Sequence, residues 1–178
     1  MGKAEILREL RALTSGCEHT NREFWTAPDF PSGVAKGIVA ELMGNACTEW
    51  LIKLFIVNPE PYILWCERDP KILPTAIIQR GVKPHRIKFI ISGGELHQPL
   101  RLALESQHYP FIIAPNRMTD VTSHQRLHLL AEKSKSTVFL LADKKFSSAW
   151  PISLQLEINN SSEGFQISVH RQKHGSGS

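Results

Sequence analysis

The residues with the clearest chemical meaning surround Gly44, which follows an apolar run at 37–42 and precedes an amphipathic segment. A glycine between a strand and a helix is typical of loops that bind phosphate through backbone N–H groups. Such a loop also needs a second glycine, a lysine for the β- and γ-phosphates, and a serine or threonine for Mg²⁺. Here Thr48, Glu49 and Trp50 stand where these residues are needed. The segment predicts the frame of a nucleotide site without its chemistry.

Basic residues gather at two places where they would meet the phosphate backbone of a nucleic acid. One is a patch of Lys83, Arg86 and Lys88, and the other is a basic end with Arg171 and Lys173. An ordinary solvated loop is the alternative interpretation of the first patch. If DNA is touched directly, we expect a weak contact through these residues.

A metal centre is not expected from this sequence. His124 and His128 lie four residues apart, a spacing that can chelate a metal on one face of a helix. Gln125 stands where a metalloprotease helix carries a glutamate, and no third ligand is evident. Capping and solvent exposure explain the pair, so we predict neither a metal nor another cofactor.

The composition describes an ordinary globular chain of 178 residues, with 42% apolar and 21% charged residues and a net charge of +4. This length fits one domain, and the mild positive charge permits nucleic-acid contact without requiring it. The sequence has no signal-like apolar start and no membrane-length apolar run, so we expect neither secretion nor membrane spanning. Three cysteines without CxxC spacing favour a reduced, cytoplasmic setting.

The amino-terminal region, residues 1–30, is predicted to be a helix followed by a polar connector. Its apolar residues recur with helical spacing opposite charged residues: Ile6, Leu7, Leu10 and Leu13. A helix this short is marginal in water on its own, so the apolar stripe must be buried against something. It either folds back onto its own core or docks on a protein partner, and both interpretations stay open.

From residue 37 onward, strand-like apolar segments alternate with helical patterns. The strand candidates are short and almost continuously apolar, as is typical of strands covered on both faces: 37–42, 62–66, 87–92, 111–114 and 137–142. Helices are predicted between them, one of them over 70–80 with its start at Asp69-Pro70. This alternation predicts an α/β fold with a mostly parallel central sheet and helices on both faces.

The carboxyl-terminal part has a different pattern. Residues 153–158 and 165–170 alternate apolar and polar side chains with period two, and turn-forming residues lie between them. We therefore predict an antiparallel hairpin at the edge of the sheet. The core is expected to span residues 31–170 and to be followed by a disordered basic tail at 171–178.

The order of these segments resembles the RecA-like ATPase core over about Pro31 to Ala142. That family runs from a Pro-x-Gly entry and a Gly-led strand into its phosphate loop, which corresponds here to Gly37 to Gly44. It continues with a second strand that ends in an acidic residue, here Glu67, and with a Gly-Val approach to the third strand, here Gly81-Val82. The resemblance implies a RecA-like three-layer sandwich.

The departures from the family pattern remove its chemistry. The resemblance places Glu67 at the position of the water-activating glutamate, and Pro115 where an aspartate holds the water shell of the metal. Proline can neither bind a metal nor donate a hydrogen bond. Phosphoryl transfer depends on positioning and charge stabilisation by such groups. We therefore predict a vestigial, non-catalytic nucleotide site of Gly44, Thr48, Glu49, Trp50, Glu67 and Pro115.

Among RecA-like proteins, this short chain with its altered loop is similar to the ImuA/SulA branch. A leading Leu-Arg-x-Leu helix and the segment Arg126 to Glu132 carry this resemblance. The ImuA type implies a non-catalytic accessory role in the bacterial SOS response, with the RecA recombinase and a translesion polymerase-like protein as partners. The SulA type implies an inhibitor of cell division that binds the tubulin-like division protein. A weak nucleotide binder with an unconventional loop is the third alternative.

Overall fold

The computed structural model describes residues 22–173, which form a seven-stranded sheet covered by helices and a separate two-stranded sheet. A short 3-10 turn at Pro84–Arg86 leads into the fifth strand. The elements in chain order are β1 (Phe24–Trp25), β2 (Val34–Ala35), β3 (Val39–Met43), α1 (Cys47–Val57), β4 (Ile63–Glu67), α2 (Pro74–Gln79), β5 (Ile87–Ile91), α3 (His97–Ser106), β6 (Phe111–Pro115), α4 (Val121–Ser134), β7 (Thr137–Leu141), β8 (Leu154–Ser161) and β9 (Gly164–Gln172).

The large sheet has the strand order β5-β4-β6-β7-β3-β8-β9. Every neighbouring pair from β5 to β8 is parallel, and β9 runs antiparallel to β8. The first strand of this sheet, β3, is therefore a central strand between β7 and β8. Because the parallel strands point the same way, their carboxyl ends meet at one edge of the sheet.

Two apolar clusters lie on the two faces of the sheet and hold the helices there. One face is covered by α1, whose buried residues Trp50, Leu51, Leu54 and Phe55 recur at helical spacing. The other face is covered by α3 and α4, through buried residues that include Leu104 and Leu127. Helices on both faces explain why the central strands are almost continuously apolar.

The α/β class, the mostly parallel sheet and the antiparallel edge hairpin are confirmed. The hairpin is longer than predicted, because its second strand continues to Gln172 and includes Arg171. Two positions of the predicted tail therefore belong to the sheet, and residues 174–178 lie outside the described part of the chain. Across residues 22–173, no helix is long and apolar enough to cross a bilayer.

The helix predicted over 70–80 begins later than expected, at Pro74. The carboxylate of Glu67 accepts hydrogen bonds from the backbone N–H groups of Lys71 and Ile72, at 2.8 and 3.3 Å. These bonds hold the chain in a non-helical turn around the end of β4. Pro74 then supplies a first helical residue that needs no N–H partner.

Part of the predicted connector belongs to the core. Trp25 in β1 packs against Phe111, with a distance of 4.6 Å between the ring centroids, and its indole N–H donates to the Thr137 hydroxyl at 2.9 Å. These contacts join the segment before residue 31 to β6 and β7. The predicted helix and its stripe of Ile6, Leu7, Leu10 and Leu13 lie outside the described residues.

Candidate functional site at the carboxyl edge of the sheet

A pocket of about 170 Å³ opens at the carboxyl edge of the sheet, between α1 and the ends of β4, β6 and β7. Ligands of open α/β sheets bind in crevices at this edge. Thr48, Glu67 and Pro115 line the pocket together with Trp65 and residues of the following loops. The structure thus brings together three of the six residues of the predicted vestigial site.

The turn between β3 and α1, residues 44–46, is short and closed. Gly44 has φ +117°, and a Cβ atom added there would overlap the carbonyl oxygen of Ile158. The N–H of Ala46 donates to that same oxygen at 3.1 Å, and the N–H of Asn45 donates to Oδ1 of Asn159 at 3.2 Å. A phosphate loop is longer and keeps such N–H groups for its ligand. Here the N–H groups of Asn45 and Ala46 are instead hydrogen-bonded to residues of β8.

Glu49 and Trp50 contact other parts of the protein rather than the pocket. The carboxylate of Glu49 forms a salt bridge with Arg80 at 2.9 Å. Trp50 is fully buried, and its indole N–H donates to the carbonyl oxygen of Pro28 at 2.8 Å. These two residues therefore stabilise the packing of α1.

Glu67 lies at the rim of the pocket, and one of its carboxylate oxygens holds the turn that follows β4. Pro115 is the last residue of β6 and is half-buried beside Leu141 of β7. Within residues 22–173, no three side chains of His, Cys, Asp or Glu are grouped as metal ligands. The expected solvent exposure of His124 is wrong, because this side chain is buried on the sheet-facing side of α4, and its Nδ1 lies 2.9 Å from the carbonyl oxygen of Asp120. This bond leaves Nδ1 as the proton donor.

The three residues of the first basic patch differ in exposure, because Arg86 is buried whereas Lys83 and Lys88 are exposed. Arg86 is only 5% exposed, and its guanidinium donates to the carbonyl oxygens of Phe55, Asn58 and Pro61 at 2.7 to 3.2 Å. Burial lowers the pKa of Arg86 from its usual value. The predicted nucleic-acid contact at Arg86 is corrected, because this side chain ties α1 to β5. Lys83 and Lys88 are exposed.

The basic end of the hairpin also makes contacts within the chain. Arg171 donates to the carbonyl oxygen of Ala149 at 2.6 Å. The ammonium group of Lys173 donates to the carbonyl oxygen of Trp150 and lies 5.4 Å from the centre of that ring. Both cations therefore fasten β9 to the segment before β8, which reduces their freedom to contact phosphate.

Glu41, whose role the sequence-based prediction missed, lies at the centre of a polar network. This β3 residue is fully buried. Its carboxylate accepts hydrogen bonds from Nδ2 of Asn116 at 2.5 Å, from the N–H of Ser147 at 2.9 Å and from Nε2 of Gln155 at 2.7 Å. A carboxylate in an apolar strand was the available signal, since buried charges must be compensated. Glu41 joins the ends of β6 and β8 to the loop after β7.

The two described cysteines are not nucleophiles. Burial raises the pKa of Cys47 to about 11 and that of Cys66 to about 12. Thiolate is the reactive form of cysteine, so both side chains stay protonated and inert near neutral pH. Cys66 lines the pocket as a small apolar group.

Comparison with known proteins adds no family to this description. No protein-family model matches the sequence, and no curated protein matches it. A functional assignment therefore rests on the geometry of the carboxyl edge and on the residues that carry the resemblance.

Proposed function

We propose that the chain is a non-catalytic accessory protein of the bacterial DNA-damage response that binds the RecA recombinase or a translesion polymerase assembly in the cytoplasm. The observation that carries the proposal is the closed turn after β3, where the N–H groups of Asn45 and Ala46 are bonded to β8. A chain with this turn keeps the frame of a nucleotide site and acts by binding a protein.

The dimensions and charges of the pocket support the absence of nucleotide chemistry. A volume of about 170 Å³ is smaller than the roughly 300–1,000 Å³ of sites for drug-sized ligands. Phosphoryl transfer needs cations and a metal placed around the phosphates. Glu49 is paired with Arg80, and Pro115 offers no metal ligand.

The partner is proposed from the resemblance to the ImuA type. The stripe of Ile6, Leu7, Leu10 and Leu13, which precedes the described residues, is our candidate for the docking element. A subunit-like protein that docks on a recombinase filament without an ATP switch would cap or destabilise the filament. The same chain without a recombinase contact would fit the division inhibitor of the SulA type.

The experiment is co-sedimentation of the purified chain with recombinase filaments, compared with polymers of the tubulin-like division protein. Leu10→Asp with Leu13→Asp should abolish co-sedimentation with the recombinase and leave the melting temperature nearly unchanged. Ala4→Asp with Ala12→Asp adds the same two charges on the opposite face of the predicted helix and should bind normally.

Two outcomes would count against the docking role of the helix. A large loss of stability in the leucine variant would show that the stripe folds back onto its own core. Unimpaired binding by that variant would place the docking surface elsewhere. Sedimentation with the division protein instead of the recombinase would overturn the proposed partner.

A further inference from the structure

A groove of about 460 Å³ runs between α3 and α4, on the face of the sheet that these two helices cover. Its floor consists of aliphatic side chains that are buried or half-buried: Leu100, Met118, Leu127 and Leu130. Among the described residues no Phe, Tyr or Trp lines the groove, so it lacks the rings on which nucleic-acid bases stack. An apolar floor of this kind favours a segment that brings apolar side chains of its own.

The rims of the groove are basic. Arg101 of α3 and Arg126 of α4 line it together with His97, and no acidic residue in the described part of the chain does so. Arg101 has a partner on its own helix, because Glu105 lies 3.5 Å away. Arg126 is exposed and forms no ion pair or hydrogen bond within residues 22–173. The α4 rim can therefore take an acidic side chain from a segment that occupies the groove.

The described part of the chain begins beside this groove. Nη2 of Arg22 lies 3.6 Å from Oε1 of Glu132, in the last turn of α4. Arg126 precedes Glu132 on the same helix by a distance of about 9 Å along the axis. The chain from Leu13 to Arg22 can span up to about 30 Å. The segment before residue 22 is therefore long enough to enter the groove.

The leading segment has the side chains that suit this groove. Glu5 and Glu9 follow one border of its predicted helical stripe at four-residue spacing. An amphipathic helix of this kind lays its apolar face into a groove through side chains at helical spacing. Here these are Ile6, Leu7, Leu10 and Leu13.

We infer that the leading stripe rests in the α3–α4 groove of its own chain when no partner is bound, with Glu9 facing Arg126. The contact is autoinhibitory, and in this respect the inference rests on the proposed function, which assigns the same stripe to the recombinase. A partner displaces the stripe only if the docked arrangement exceeds the released one by a small factor. An excess of about three-fold leaves about a quarter of the molecules ready to bind, and its loss changes the stability of the fold little.

A spin label on the leading segment tests the contact in the isolated, ¹⁵N-labelled full chain. Ala4→Cys in a Cys17→Ser background places one reactive thiol opposite the stripe, since the two described cysteines are buried. The label should broaden the backbone N–H resonances of Arg101 and Arg126, whereas Lys53 of α1, on the other face of the sheet, should stay sharp. Leu10→Asp with Leu13→Asp should remove most of this broadening. A sharp Arg126 resonance, or equal broadening in the leucine variant, would overturn the inference.

A charge reversal tests the groove without disturbing the apolar stripe. Arg126→Glu should lower the ratio of docked to released chains about two- to five-fold, the range of an exposed ion pair. Glu9→Arg added to this variant should restore the ratio. Lys133→Glu changes an exposed lysine of the same helix outside the groove and should leave the ratio unchanged. An Arg126→Glu variant that behaves like Lys133→Glu, or a swap that restores nothing, would contradict the assigned groove.

Two mixtures separate the other occupants and the proposed partner. Broadening of a ¹⁵N-labelled chain without a spin label by a spin-labelled ¹⁴N chain would show that a second copy fills the groove, and it would refute the intramolecular contact. Recombinase added to the spin-labelled ¹⁵N chain should reduce the broadening at Arg126, and unchanged broadening during co-sedimentation would refute autoinhibition. A released stripe with normal co-sedimentation refutes this inference alone, whereas a docked stripe without co-sedimentation refutes the proposed partner alone.

Discussion

Removal of the Glu41 carboxylate should be among the most damaging single changes in the sheet. Asn116, Ser147 and Gln155 donate to it from three separate segments, and it is fully buried. In Glu41→Ala the side chain of Asn116 and the N–H of Ser147 both lose this acceptor. Gln155 retains a second acceptor, the carbonyl oxygen of Ser147 at 2.7 Å.

The magnitude follows from two partly buried donors, the Asn116 amide and the Ser147 N–H, left without the carboxylate. An unpaired buried donor costs about 1–3 kcal/mol, so Glu41→Ala should lower the free energy of unfolding by up to about 2–6 kcal/mol. Glu41→Gln keeps the shape but turns one acceptor into a donor, and should cost about 1–3 kcal/mol. For a domain of this size, each kcal/mol lowers the melting temperature by about 2–4 °C.

Urea unfolding followed by circular dichroism measures both variants, with Glu95→Gln as the control. Glu95 is exposed and has no described hydrogen-bond partner, so its substitution should change stability by less than about 0.5 kcal/mol. The loss in free energy of unfolding should be largest for Glu41→Ala, smaller for Glu41→Gln and smallest for Glu95→Gln. A Glu41→Ala variant within about 0.5 kcal/mol of the unmodified chain would refute the role of this network.

Three further predictions concern the same structural features. Gly44→Ala should lower the free energy of unfolding in urea by about 1–3 kcal/mol or more, because the φ of +117° at Gly44 and the nearby Ile158 carbonyl exclude a Cβ atom. The control Gly94→Ala should be nearly neutral. Arg86→Met should lower the free energy of unfolding by about 2–4 kcal/mol, because three carbonyl oxygens lose a charged donor. The control Lys88→Met should change the free energy of unfolding little. In a Cys17→Ser background, Cys47 and Cys66 should resist iodoacetamide until the protein is unfolded. Because their folded pKa values are raised to about 11 and 12, the thiols favour the folded state below the unfolded thiol pKa of about 9. This contribution falls as pH rises from about 9 to 11 for Cys47 and from about 9 to 12 for Cys66. The assignments would be contradicted if Gly44→Ala were as stable as Gly94→Ala, or Arg86→Met as stable as Lys88→Met. Modification of the thiols in the folded protein at the rate of a free peptide would also contradict them.

The fold class was predictable because it depends on local pattern. Continuous apolar runs such as 137–142 marked strands with two covered faces, and period-two alternation at 165–170 marked the edge hairpin. The start of α2 was not predictable from Asp69-Pro70, because the carboxylate of Glu67 takes the local N–H groups. Local helix signals do not include such competition.

The candidate site was only partly predictable, since its decisive contacts join distant parts of the chain. The sequence shows that lysine is missing after Gly44, but the closure of that turn depends on Ile158 and Asn159 in β8. Arg86 has the sequence context of a basic patch, and only its hydrogen bonds to the end of α1 and to the loop before β4 account for its burial.

We propose that closure of the β3–α1 turn leaves the chain without nucleotide chemistry and that the chain acts by binding a protein. The most direct test of this proposal is the melting temperature of the purified chain with millimolar ATP·Mg²⁺. A nucleotide at a hundred times its dissociation constant would stabilise the fold by about 2.7 kcal/mol, or roughly 5–10 °C. We expect the melting temperature to change by less than about 1 °C. A saturable rise of several degrees, or ATP turnover that Glu67→Gln abolishes, would contradict it.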